Sequence, residues 1–219
     1  MRTSAKLGLA ALVAALLLAS AISTASARNF SFSEGSFTVS FSSLEFTGGA
    51  TIRCRTTLEG SFHSRTIAKV AGAPIGSYTR GIIAHPCTGG EVWLDDGSST
   101  QPLGTAAMKL PFDTQYNGFA GPLPTVSSVT LPIARASFVI QATILGLTCR
   151  GRYGRPEDSI STVAAREAGG GITSLAVNGR GSLVEELGPN RVCPASARLV
   201  GTGAVKKLGT GAEISITLI

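Results

Sequence analysis

From Ser36 to Glu59 the chain places its side chains with a period of two. Phe37, Val39 and Phe41 fall on one side and Ser36, Thr38 and Ser40 on the other. Leu44 and Phe46 follow, and then Ile52, Cys54, Thr56 and Leu58 oppose Arg53, Arg55, Thr57 and Glu59. Successive side chains of a β-strand point to opposite faces, so such a run has one face in a core and one in water. Similar short alternations, bounded by Gly, Pro or Asn, recur to the chain end, where Ile214, Ile216 and Leu218 alternate with Ser215, Thr217 and Ile219. Roughly ten to twelve strand candidates at short spacing, with almost no helical periodicity, predict an all-β fold. An antiparallel β-sandwich or jelly-roll-like domain is expected first, with a small β-barrel as the alternative.

The pattern also gives finer expectations. Asn178-Gly179 predicts a two-residue hairpin turn within Gly171 to Leu187, because such a turn needs positive φ angles. Ala136 to Arg150 is apolar on both faces and reads as one central strand covered on both sides. Phe112 to Thr125 reads as a strand ending at a proline-bordered loop, and Asp95-Asp96-Gly97 as a turn. Pro156 to Gly171 is the one segment that could hold a short helix, capped by Asp158 or Ser159 and stopped at Gly169, or equally a mobile loop.

The first residues predict the compartment. Arg2 and Lys6 precede a continuous apolar run, Leu7 to Ala19, and Ala25-Ser26-Ala27 supplies small residues at a cleavage site. This is the three-part export signal, and cleavage is expected after Ala27. The run is short of the ~20 residues that span a bilayer, so no stable membrane insertion is expected after cleavage. The expected organisation is therefore a signal peptide, 1–27, and one secreted all-β domain, 28–219. Losing Arg2 and Lys6 lowers the formal charge of +6 by two, to +4. All four cysteines, Cys54, Cys87, Cys149 and Cys193, follow the signal, and an even count in an exported chain reads as disulfides. Each half of the chain has a cysteine beside arginines and another beside proline: Cys54 and Cys87, then Cys149 and Cys193. That repetition favours Cys54–Cys87 and Cys149–Cys193.

Few residues suggest chemistry. The two histidines are His63 and His85, and no G-x-S-x-G nucleophile turn accompanies them. No Cys-x-x-Cys occurs, and Asp95-Asp96-Gly97-Ser98 lacks the spaced ligands of a calcium loop, so no metal is expected. Ala168-Gly169-Gly170-Gly171 lacks the Lys and Ser/Thr of a phosphate loop, and no cofactor is expected. No catalytic residue is assigned. The densest basic spot is Arg150, Arg152 and Arg155 around Tyr153, a possible contact for an anionic cell-wall polymer or glycan. Basic residues do not run together with aromatics, which argues against nucleic-acid binding.

C-x-x-x-L-E-G-S-F-H-S from Cys54, G-F-x-G-P-L-P from Gly118, the second cysteine pair with Cys193-Pro194 and a strand reaching the chain end make a combined pattern. With the export signal, it resembles uncharacterised secreted, disulfide-containing β-rich proteins of high-GC Gram-positive bacteria. The resemblance implies export and a disulfide-bonded β fold, and brings no activity with it. The expected function is that of a secreted, non-catalytic structural or binding protein outside the cell or at its surface. The alternative is an extracellular hydrolase acting on a polysaccharide or cell-wall polymer.

Overall fold

A computed structural model describes residues 29–95, 110–121, 126–154, 159–166, 170–185 and 191–219. The expected signal peptide and Arg155 lie outside them. The described residues form sixteen strands and no helix. They are β1 (Asn29–Phe32), β2 (Ser36–Gly48), β3 (Ala50–Phe62), β4 (Thr66–Ala68), β5 (Pro74–Thr88), β6 (Glu91–Leu94), β7 (Phe112–Gln115) and β8 (Gly118–Ala120). Then come β9 (Ser128–Thr130), β10 (Ile133–Ala134), β11 (Phe138–Ile144), β12 (Leu147–Tyr153), β13 (Ser159–Arg166), β14 (Gly171–Glu185), β15 (Ser196–Lys207) and β16 (Ile214–Leu218).

Eight strands close on themselves as an antiparallel barrel in the order β14-β15-β2-β3-β5-β7-β10-β13 and back to β14. This is the barrel, not the sandwich or jelly roll expected first. Alternation along a strand is the same in both, since each buries one face. What separates them is whether the sheet keeps free edges. β14 removes them, because it pairs β15 over Ser174–Ser182 on one edge and β13 over Ile172–Asn178 on the other.

Three local expectations fail for related reasons. Asn178 and Gly179 make no turn: they lie mid-strand, with Asn178 between Ser161 and Val200. A Cβ on Gly179 would come 2.9 Å from Ile160 Cγ2, and one on Gly181 would come 2.7 Å from the Tyr153 ring. These glycines admit large neighbours where the sheet closes. The segment read as a possible helix is β13, with Ile160, Thr162 and Ala164 buried in alternation. The segment read as one central strand is the β11–β12 hairpin, which turns at Leu145 (φ 50°) and Gly146 (φ 80°).

The predicted inward faces of β2 and β3 are buried: Phe37, Val39, Phe41, Leu44 and Phe46, then Ile52, Cys54, Thr56 and Leu58. The odd step from Phe41 to Leu44 is absorbed by a bulge between them. Two aromatic groups pack the ends of the barrel. Phe37 meets Phe62 and Tyr78 at one end, where Phe32 of β1 stacks on Phe62 with ring centroids 4.2 Å apart. Phe46 meets Phe138 of β11 and Tyr153 of β12 at the other, with ring centroids 5.2 and 5.7 Å away. The short sheets β4-β1-β16 and β6-β11-β12 thus extend from the barrel and cover its ends. Burial of Tyr78 pushes its phenol pKa well above the usual value.

Candidate functional site

The disulfides join Cys54 to Cys87 and Cys149 to Cys193. Cys54 is 3% exposed on the inner face of β3, while Arg53 and Arg55 point outward. The arginines therefore flank it in sequence and not in space.

The basic spot around Tyr153 does not assemble as read from the sequence. Arg152 faces the protein: its side chain is 11% exposed and its Nε lies 2.6 Å from Oδ2 of Asp95, whose side chain is fully buried. Ser137 Oγ donates to the same carboxylate oxygen at 3.0 Å. A guanidinium held in this way is not offered to a polymer. Arg150 lies two residues away on β12, half-buried, with its guanidinium 5.5 Å from the centre of the Trp93 ring. The alternation that leaves Arg152 and Arg150 on one face does not tell which of them a neighbouring strand covers.

Nor do the histidines converge. His63 follows β3, whereas His85 sits on β5 beside the other end of β3, where Ala84 pairs with Arg55. Eight residues of strand rise separate these positions by about 26 Å. His85 does have an acidic partner, Glu91, with Nδ1 and Oε2 2.6 Å apart. The sulfur grouped with them belongs to Cys87 and is bonded to Cys54, so this His–carboxylate pair has no free thiol nucleophile beside it. Glu45, Glu59 and Asp113 each pair with an arginine, Arg53, Arg80 and Arg135 respectively. Glu34 is hydrogen-bonded by Lys207 at 2.6 Å, with Arg65 nearby. Each of these four carboxylates is thus paired with a cation, whereas glycoside hydrolysis needs two carboxylates facing one cleft as acid and base or nucleophile. The hydrogen bonds from Lys207 and from Arg53 hold the Glu34 and Glu45 carboxyls below their usual pKa.

Inside the barrel, the cavity among Phe37, Tyr78, Thr114 and Leu175 measures about 20 Å³, against several hundred for a small-molecule site. A second cavity, between Phe46, Ile140 and the Cys149–Cys193 bridge, is about 30 Å³. Outside, Arg53, Glu59 and Arg80 project from β3 and β5. An apolar inside and a charged outside are the reverse of a membrane-spanning barrel.

A larger, open concavity, about 650 Å³, lies on the outer face of β13, β14 and β15. Ser161, Val163, Ala176, Asn178, Arg180 and Arg198 line it. The register puts Arg180 directly opposite Arg198. Facing residues of antiparallel strands have Cβ atoms about 5 Å apart, and like charges there are destabilising. The two side chains reach diagonally across the strand pair. Arg180 Nη2 donates to Ser196 Oγ at 3.1 Å, and Arg198 Nε donates to Asn178 Oδ1 at 3.1 Å. Both partners are neutral. These contacts fix the guanidiniums without cancelling their charge, which leaves donors facing the concavity.

Sequence reasoning did not single out these two arginines. Each follows a polar residue by two positions, Asn178-x-Arg180 and Ser196-x-Arg198. That repeat is the available signal, but only the register makes it a pair. Comparison with family models, with curated proteins and with solved structures finds no match for this chain.

Proposed function

We propose that the protein is a secreted, non-catalytic binding module that holds an anionic polymer of the cell surface on the outer face of β13–β14–β15. The observation that carries this reading is the facing pair Arg180 and Arg198, oriented by Ser196 and Asn178 and set in a concavity of about 650 Å³. A phosphate or carboxylate group placed between the two guanidiniums would relieve their repulsion and accept charge-assisted hydrogen bonds. Two disulfides suit an oxidising compartment outside the cytoplasm.

The test is co-sedimentation with purified cell wall, and titration with polyphosphate and polygalacturonate, with neutral dextran as control. Wild type should bind the anionic materials and release them as salt rises. Arg180→Ala/Arg198→Ala should weaken binding at least about tenfold, the scale of one lost charge-assisted contact. Equal binding by that variant, or equal binding to dextran, overturns the reading.

A further inference from the structure

The tip of the β11–β12 hairpin breaks two rules at one residue. Leu145 is 88% exposed, and its φ of 50° lies in the left-handed region that favours glycine or asparagine. A side chain with no polar atom stands in water where its own backbone is strained. Such an outlier points to function when the fold does not need the residue, and a side chain this exposed is not part of the core. Across the turn, Leu147 is 42% exposed and pairs with Ile144. Ile144 packs back on the core and reaches the turn between β2 and β3. A Cβ on Gly49 of that turn would come 2.9 Å from Ile144 Cδ1 and 3.5 Å from Pro194 Cδ. The Cys149–Cys193 bridge fastens the hairpin to the Pro194 segment. Three segments therefore meet at this end, 46–52, 142–149 and 192–197, and none of them holds a charged residue. Arginine borders each one: Arg53, Arg150, and Arg191 with Arg198. The carboxylates described beside them are engaged, Glu45 by Arg53 and Glu91 by His85.

We infer that this end of the barrel rests on an anionic phospholipid surface, with Leu145 and Leu147 in the lipid interface and the bordering arginines at the headgroups. Shape and area favour lipid over a second copy of the chain. At 88% exposure Leu145 stands out from the surface and lines no groove. A stable protein interface buries about 800 Å² on each partner, and two partly exposed leucines supply only a small part of that. A bilayer needs no complementary pocket, since binding there follows the apolar area inserted plus attraction to anionic lipid. Charge complementarity supplies the second part: an uncharged tip bordered by arginines fits acyl chains below a layer of phosphates. The contact is shallow, about 5–10 Å deep, where the backbone groups of the turn still reach water. Even a single myristoyl chain binds a bilayer only marginally, so two leucines hold reversibly and depend on the arginines. The inference goes beyond polymer binding and does not rest on it.

The experiment floats the exported chain, both disulfides intact, with vesicles of phosphatidylglycerol and phosphatidylcholine in equal parts, and with phosphatidylcholine alone. Wild type should float with the anionic vesicles, bind the neutral ones at least about tenfold more weakly, and come off as salt rises. Leu145→Asn should lose at least about tenfold in partitioning, the scale of one leucine no longer buried. Asparagine suits that turn, so the loss is not one of folding. Leu145→Trp in a Trp93→Phe background leaves one tryptophan, at the tip. Its emission should shift to the blue on anionic vesicles and be quenched by brominated acyl chains. Equal flotation of Leu145→Asn, no flotation of wild type, or a tip tryptophan that brominated chains do not quench overturns the inference. So does a dimer in sedimentation velocity that Leu145→Asn dissolves while no vesicle is bound, which assigns the tip to a second copy. The two readings fail separately: Leu145→Asn should keep polymer binding, and Arg180→Ala/Arg198→Ala should keep the quenching of the tip tryptophan.

Discussion

Replacing Arg152 by Met tests the buried ion pair most directly. Asp95 follows β6, Ser137 precedes β11 and Arg152 lies on β12, so the pair ties together the three strands that cover one end of the barrel. At the observed separation of 2.6 Å, and an effective dielectric of about 20, the attraction is about 6 kcal/mol. Desolvation of the two ions takes back much of it, which is why an intact buried pair adds little net stability. The variant keeps the cost of burying Asp95 and loses the attraction. The Asp95 carboxylate stays fully buried without its guanidinium, and the expected loss is about 3–5 kcal/mol. With a urea slope of about 2 kcal/mol/M, the unfolding midpoint falls by about 1.5–2.5 M. The assay is urea unfolding followed by Trp93 fluorescence, with far-ultraviolet circular dichroism as a second probe. A double-mutant cycle with Asp95→Asn completes the argument. Arg152→Met/Asp95→Asn removes both charges and should be more stable than the two single losses sum to, by about 2 kcal/mol or more. A loss below about 1 kcal/mol in Arg152→Met, or additivity in the cycle, refutes the assignment of Arg152 to the core and returns it to the surface.

Two further perturbations read other parts of the fold. Leu145 is 88% exposed at φ 50°, in the two-residue turn it shares with Gly146; Leu145→Asn creates the Asn-Gly pair that such turns prefer and should stabilise by about 1 kcal/mol, or about 2–4 °C in Tm. An unchanged or lower Tm contradicts the strain at that position. The depressed Glu34 carboxyl contributes stability that is present above its ordinary pKa of 4.5 and is lost as pH falls through the folded value. Denaturant midpoints measured from pH 7 down to pH 3 should therefore fall less steeply in Glu34→Gln than in wild type, and parallel curves would rule out this ion pair as a source of acid sensitivity.

Strand character was legible because it is local. The alternation from Phe37 to Leu58 states which residues are inside, and burial follows it residue by residue. The even cysteine count and the repeated Arg-flanked and Pro-flanked positions suggested which halves meet, and Cys54–Cys87 and Cys149–Cys193 are the bridges present. Turns were less legible, because glycine has two uses. Gly146 turns the chain at positive φ, as a hairpin glycine does. Gly179 and Gly181 instead vacate space for Ile160 and the Tyr153 ring in the middle of β14. Nothing within ten residues separates the two uses, since the deciding neighbours come from other strands.

The sequence by itself therefore determined that the chain is all-β, which side chains of β2 and β3 face the core, and that its cysteines can close in two pairs. Each of these follows from period-two sterics or from pairing chemistry that acts along the chain. Tertiary structure alone decided that the sheet closes, because closure requires β14 to find β13 and β15 at once. It alone withdrew Arg152 into a buried ion pair and set Arg180 against Arg198 on the outer face. It also set Glu91 beside His85, next to the Cys54–Cys87 bridge. In each case the interaction energy depends on separation in space, and register, not sequence distance, sets that separation.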